Sequence, residues 1–304
     1  MNHKFQALIS EASKIVLDKE AEVRLAVTCL LAGGHLLIED LPGVGKTTLV
    51  QVLGRLIGLK TRRVQFTIDL LPADVIGGQV YHPQEQKFHF HPGPLFSQLV
   101  MADELNRASP RTQSALLQAM EEGEVSVDGI NHVLPKPFYV IATQNPHQQT
   151  GTFPLPESQL DRFLMSLELN HAQKETEVKI FQGEDPRQQL QKIEALFNEQ
   201  EVEKLIKEVE KVKVSTIVAQ YVGDLLEISR KPGFEGNPLS TRAGLALTRA
   251  AKAWAIMDGR DYVRPEDVQS VLIPVLGHRL GGNHGIKRGR EWAYQLQKST
   301  AVPV

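Results

Sequence analysis

Over residues 4–32 the apolar positions recur at helical spacing: Phe5, Leu8 and Ile9, then Ile15 and Val16, then Val23, Ala26, Val27 and Leu30. This pattern predicts two helices, closed by Gly33-Gly34. His35-Leu36-Leu37-Ile38 is apolar without a gap after its histidine, as a strand buried on both faces should be. A helix is expected over Lys46–Ile57, with Leu49, Val50, Leu53 and Leu56 as its stripe and Gly58 as its stop. Arg63–Thr67, Leu99–Ala102, Phe138–Ala142 and Leu164–Leu169 read as further strands. Pro110–Glu121 reads as a helix that starts at Ser109-Pro110, an N-cap followed by proline at the first helical position. Two stretches alternate instead. Gly77–Gly93 carries Lys87-Phe88-His89-Phe90-His91, and Val125–Val133 turns at Asp128-Gly129, so both read as β-hairpin insertions.

Beyond about residue 171 the strand-like runs end and helical stripes take over: Val202, Leu205, Ile206 and Val209, then Val218, Val222, Leu225 and Leu226, then the Ala/Leu-rich Ala243–Ile256. The polar stretch Gln182–Gln191 reads as the link. The fold class that follows is α/β over 1–180 and all-α over 181–304. With 304 residues, 41% hydrophobic and 23% charged, the chain has material for two such domains. Its net charge of −2 supplies no global field for nucleic acid. The single cysteine, Cys29, lies in an apolar run and reads as a buried hydrophobe in a reducing compartment. Without a leader-like N-terminus or an apolar run of the ~20 residues a span requires, the expected location is the cytoplasm.

Chemistry enters between the first strand and the helix after it. Pro42-Gly43-Val44-Gly45-Lys46-Thr47-Thr48 is a glycine-rich turn opening an amphipathic helix, the context of a phosphate-binding loop. Its glycines let backbone N–H groups turn toward phosphate oxygens, and the helix N-terminus adds partial positive charge. Lys46 would reach the β- and γ-phosphates of ATP, and the Thr47 hydroxyl would hold Mg²⁺. Asp40 stands where the usual pattern begins with glycine. The apolar Leu99–Ala102 runs into Asp103-Glu104, carboxylates at the end of a parallel strand where such sheets bind ligands. Asp103 would hold the metal through its water shell, and Glu104 would orient and activate the attacking water.

The segments Leu37–Thr47, Gln65–Asp74, Ala102–Ala108, Ala142–Pro146, Leu155–Phe163 and Asp258–Val263 together resemble the MoxR family of AAA+ ATPases, in order and over nearly the whole chain. The resemblance implies a five-stranded parallel sheet with helices, two β-hairpin insertions and a helical lid. It implies Asn145 as the polar sensor facing the γ-phosphate and Arg162 as an arginine finger for the neighbouring subunit's ATP. Arg242 would be a second sensor on a lid helix closing over the phosphates, although Thr241 replaces the proline usual before it. It also implies a ring of identical subunits (six in the family), a client protein remodelled in the manner of a chaperone, and a partner with a von Willebrand factor A domain. The adenine is expected between the N-terminal helices and the lid.

A nucleic-acid motor of the helicase kind would use the same two insertions, and a metal-chelatase motor subunit is a further alternative. The insertions are poor in basic residues: Lys87 is the only Lys or Arg within Gly77–Gly93, and the second tip is Asp128-Gly129-Ile130-Asn131-His132. Arg62-Arg63 and Lys287-Arg288-Gly289-Arg290 read as solvated charge. His82, His89 and His91 lack a nearby cysteine and read, with Tyr81, Phe88 and Phe90, as a contact surface rather than a zinc site.

Overall fold

The computed structural model describes residues 2–145, 151–183 and 186–303; Pro146 of the matched segments and part of the polar link lie outside them. The chain opens with α1 (Asn2–Ser13) and α2 (Glu20–Leu31), and then runs β1 (Leu36–Glu39), α3 (Lys46–Ile57), β2 (Thr61–Gln65) and α4 (Pro72–Ile76). The first hairpin is β3 (Gly77–His82) with β4 (Lys87–Pro92), followed by β5 (Leu99–Asp103) and α5 (Pro110–Glu122). The second hairpin is β6 (Glu124–Val127) with β7 (Ile130–Val133), followed by β8 (Tyr139–Gln144), α6 (Glu157–Leu160), β9 (Met165–Leu167) and α7 (Lys174–Phe181). Among the described residues, helices alone follow as the major elements: α8 (Glu199–Lys211), α9 (Thr216–Ser229), α10 (Thr241–Met257), α11 (Pro265–Gly281) and α12 (Ile286–Ser299).

Among the described residues, five parallel strands form one sheet in the order β2-β5-β8-β1-β9, and the two antiparallel hairpins stand outside it. The strands' alternation sorts their side chains into two cores. Leu36, Ile38, Met101 and Ile141 face α1–α3, while Leu37, Val100, Ala102, Val140 and Ala142 face α5 and the second hairpin's Val125. β2 lies two residues before the expected Arg63–Thr67. It is an edge strand buried only at Val64, so its sequence lacks the apolar run that marks the others.

The first core does not stop at the sheet. It continues through Val202 and Leu205 of α8 and Leu225 of α9 into Leu247 of α10 and Val271 and Leu272 of α11. Leu247 is fully buried, and that burial alone contributes about 2 kcal/mol. α10 is therefore held against the body by the same core that holds α2. The link is also structured in part: Leu190, Ile193 and Leu196 pack on this core, and Leu196 N donates to Leu56 O at 2.8 Å.

The hairpins lean on one another. Phe90 of β4 stacks on His132 of β7 with centroids 3.7 Å apart, and meets Phe96 edge-on at 5.4 Å. Phe90 thus packs between the insertions, leaving Tyr81 and Phe88 as the exposed aromatic pair of the first. His82 lies against His89 and His91, but among the described residues no cluster of three metal-ligating side chains forms.

Candidate active site

Parallel strands end together, so the residues that follow them converge. Beyond the carboxyl ends of β1, β2, β5 and β8 lies a cavity of about 620 Å³, lined by Pro42, Gly43, Gly45, Lys46, Thr47, Thr48, Gln65, Asp103, Glu104 and Asn145, among others. The turn into α3 depends on two left-handed residues, Gly43 (φ 91°) and Gly45 (φ 97°). Gly45 also caps α3, so Lys46 starts the helix with the free N–H groups of its first turn facing the cavity. Lys46 Nζ donates to Asp40 O at 2.6 Å and Leu41 O at 3.2 Å. Its burial pushes the ammonium pKa down, against the opposing charges of Asp40, Asp103 and Glu104.

Asp40, the departure from the usual first glycine, has a physical role. One carboxylate oxygen accepts from Leu41 N at 2.7 Å, and the other accepts from Leu169 N and Asn170 N at 2.6 and 2.7 Å. The side chain staples the start of the loop to the chain leaving β9.

Glu104 has φ 56°, a conformation that costs a non-glycine residue on the order of 1–3 kcal/mol and recurs at functional sites. Its N–H is fixed by Thr143 Oγ1 at 2.9 Å, and its carboxylate accepts from Asn145 Nδ2 (3.1 Å), Gln65 Nε2 (2.8 Å) and Arg107 (3.0 Å). Asp103 accepts from Thr143 Oγ1 at 2.6 Å and from the Arg63 guanidinium at 2.5 and 3.1 Å. Arg63, half exposed, therefore lines the cavity as well as facing solvent. Gln65, Arg63, Arg107 and Thr143 were not singled out by sequence. Gln65, Arg107 and Thr143 sit inside matched segments, whereas nothing local distinguishes Arg63 from a surface charge.

A second cavity of about 300 Å³ shares Gly43, Gly45 and Thr48 with the first and also takes in Val44. Its walls are Ile15–Leu17 and Lys19 on one side and His171, Ala172, Glu177, Ile180 and Phe181 on the other. Two bonds tie these walls: Gln173 N to Asp18 at 2.8 Å, which holds the Asp18 carboxyl below its ordinary range, and Lys19 Nζ to His171 O at 3.0 Å. The wall facing the N-terminal helices in this cavity is α7 and its approach.

Arg162 and Arg242 lie elsewhere. They line a third cavity, of about 430 Å³, with Gly33, His35, Glu121, Asp161, Leu164, Arg249 and Arg279. Gly33 and His35 precede β1 and Leu164 precedes β9, so this cavity opens at the amino ends of the strands. β1 alone separates the two ends by its four residues, about 13 Å. Arg242 bonds Glu121 at 2.6 Å, and Arg162 meets the same carboxylate at 3.0 Å. Arg242, expected on a lid helix closing over the phosphates, thus lies at the opposite end of the sheet from this subunit's own phosphate-loop cavity. α10 and α11 are fastened at the amino ends, where the buried Arg279 donates to the Asp161 carboxylate at 2.7 Å and to the carbonyls of Asp161, Phe163 and Leu164.

Against known proteins, residues 35–165 match the ATPase family associated with various cellular activities (AAA), and residues 237–291 match an AAA lid domain. The uncharacterized protein YeaC of Bacillus subtilis is 39% identical over 272 residues, covering 90% of this chain and 85% of YeaC. Chaperone MoxR1 of Mycobacterium tuberculosis is 36% identical over 289 residues, covering 91% of this chain and 76% of that one. The chain belongs to the MoxR family of AAA+ ATPases. A crystal structure from Cytophaga hutchinsonii agrees, with a TM-score of 0.88 and 33% identity, covering all of this chain and 96% of that one. In this chain the candidate site residues fall in two sets, Lys46, Thr47, Asp103, Glu104 and Asn145 at one end of the sheet and Arg162 and Arg242 at the other.

Proposed function

We propose that this ATPase binds Mg·ATP in the carboxyl-end cavity and hydrolyses it at the boundary between neighbouring copies, arranged as a ring. The observation that carries this reading is the division of the site residues between opposite ends of one sheet. Within a single subunit the γ-phosphate meets a lysine and a carboxylate, and the two arginines that line its cavity, Arg63 and Arg107, are bonded to Asp103 and Glu104, while its neighbour can present Arg162 and Arg242. Lys46 holds the β- and γ-phosphates, and Thr48 and the loop N–H groups from Gly43 onward cradle the rest. Thr47 and Asp103 are the hard oxygen ligands facing that space, a donor set suited to Mg²⁺, which keeps several waters and shares the substrate's phosphates. The ion supplies neutralisation of charge on the phosphate oxygens. Glu104, aimed by Asn145 and Gln65, orients the attacking water and accepts its proton. Arg162 and Arg242 of the adjacent copy stabilise the charge spread over the transferring phosphoryl group. An arginine so placed contributes roughly 10³–10⁵ in rate, or about 4–7 kcal/mol. The cavity between Ile15–Lys19 and α7 is assigned to the adenine, and Pro42 and Val44 shape the loop between base and phosphates.

The relative named as a chaperone supports an output in which turnover in a ring, of six subunits as in the family, remodels or matures a client protein in the cytoplasm. A von Willebrand factor A domain partner belongs to the same proposal, as does the division into nucleotide and lid domains near residue 180. No helix among the described residues is long and apolar enough to cross a membrane.

The test is ATPase turnover against protein concentration for the wild type, Glu104→Gln, Arg162→Ala and an equimolar mixture of the two variants. Each variant alone should be nearly inactive. The mixture should recover activity, because some boundaries pair an intact Glu104 with an intact Arg162. Full activity of Arg162→Ala at low concentration would end the interface reading.

A further inference from the structure

We propose that Glu121 is a positioning residue whose carboxylate holds Arg162 and Arg242 side by side, so that both guanidiniums address one phosphate of the neighbouring subunit. This rests on the interface reading above. Each oxygen of the carboxylate takes a different arginine, Oε1 accepting from Arg242 at 2.6 Å and Oε2 lying 3.0 Å from Arg162. A guanidinium has five N–H donors, so both arginines keep donors for a further anion.

Stability does not explain the arrangement. Glu121 lies in the last turn of α5, where the helix dipole disfavours a carboxylate, and Arg242 lies in the first turn of α10, where it disfavours a cation. Arg162 is 27% exposed, Glu121 39% and Arg242 58%, and such solvent-accessible pairs contribute at most about 1 kcal/mol. Like charge is the larger problem. Arg162, Arg242, Arg249 and Arg279 line this cavity, against two carboxylates, Glu121 and Asp161. Asp161 is bonded to Arg279 and stands 3.8 Å from Arg242. With Glu121 removed, the one carboxylate left in the cavity, Asp161, is shared between Arg279 and Arg242. The bond from Arg242 also holds the Glu121 carboxyl below its ordinary range, so it stays charged at neutral pH.

All three carriers are fixed. His35 accepts from Val140 N at its Nδ1, so its Nε2 carries the hydrogen and donates to Met120 O at 3.0 Å, beside Glu121. The Arg162 segment is held by the Arg279 bonds described above and by His278, 3.0 Å from Phe163 O. Ser240 caps the start of α10 by accepting from Ala243 N at 3.2 Å.

The experiment is Glu121→Gln, isosteric and half exposed, assayed alone and in equimolar mixtures with Glu104→Gln and with Arg162→Ala. Alone, at saturating protein, kcat should fall about tenfold with KM for ATP within about twofold, the loss of one charged hydrogen-bond set. A residue that acts through Arg162 should regain activity when mixed with Glu104→Gln and gain nothing from Arg162→Ala. A merely structural role would not sort the two mixtures this way. Recovery with Arg162→Ala instead, recovery with neither, or an unchanged kcat overturns the assignment of Glu121. If the control mixture of Glu104→Gln and Arg162→Ala stays inactive, the interface reading falls and this one with it. An active control beside a failed Glu121 pattern sinks the Glu121 assignment alone.

Discussion

The two ends of the sheet are built on different principles. At the carboxyl ends the backbone of each candidate site residue is placed by its own element: Lys46 by the Gly45 cap, Glu104 by its own left-handed conformation after β5 and Asn145 by β8. Contacts from neighbouring strands then hold the carboxylates of Asp103 and Glu104. At the amino ends Arg162 and Arg242 are placed by partners far away in sequence, through Glu121 on α5 and the Arg279–Asp161 link from α11. A phosphate-binding turn can be local because backbone N–H groups and one helix terminus do most of the binding. A guanidinium on a long side chain has no such local frame, so tertiary charge pairing must supply it.

The largest effect that would break this contrast is at Arg279. The guanidinium is buried and bonded to one carboxylate and several carbonyls, so Arg279→Ala strands those acceptors and should cost about 3–5 kcal/mol in urea unfolding. Yet nucleotide affinity per folded subunit should change less than about twofold, because the phosphate loop has its own frame. A large affinity loss in this variant would mean that the two ends are not separately built.

Next in size is Lys46→Ala. It should weaken ATP binding by about a hundredfold in calorimetric titration, the loss of a charge-assisted contact of roughly 3 kcal/mol. Its amino end should be intact, so mixing it with Arg162→Ala should restore turnover as Glu104→Gln does. Failure of that mixture, with both proteins folded, would place Lys46 in the frame of the arginines as well.

The same contrast explains what the sequence makes legible. The helix Lys46–Ile57 is read to its ends, because a stripe of Leu49, Val50, Leu53 and Leu56 runs between two glycines that the structure holds left-handed. Both hairpins and the central strands are equally plain, being alternating or continuous apolar runs. β2 is misplaced by two residues since an edge strand with one buried side chain carries little pattern. The Arg63–Asp103 pair, the docking of α10 and α11 at the amino ends, and the role of Glu121 are contacts across long separations, which periodicity does not encode. The resemblance supplies Arg162 and Arg242 as residues, but their position relative to their own phosphates needs the fold.

The smallest effect sharpens the comparison through pH. His35, under the arginine end, is fully buried, and burial pushes its pKa down to about 4, with the bond to Met120 O opposing. The folded state therefore resists a proton that the unfolded chain accepts near the ordinary histidine value of about 6.5. Below that value the unfolded state binds more protons, so stability falls as pH drops from about 6.5 toward 4, and is complete above it. The slope from one such group is about 1.4 kcal/mol per pH unit. His278, also buried and shifted down beneath the Arg162 loop, adds a second. Urea midpoints measured across this window should show a slope near two protons, reduced by one in His35→Asn, which removes the titration while keeping a donor and an acceptor. Protonation of His35 would also forfeit its acceptance of the Val140 N–H and disturb the seat of Glu121. Turnover should consequently fall as the pH approaches 4, where the folded protein takes up that proton, before ATP binding does. Loss of both at the same pH would show that acid reaches the phosphate end just as readily, and that the two ends share one mechanical fate.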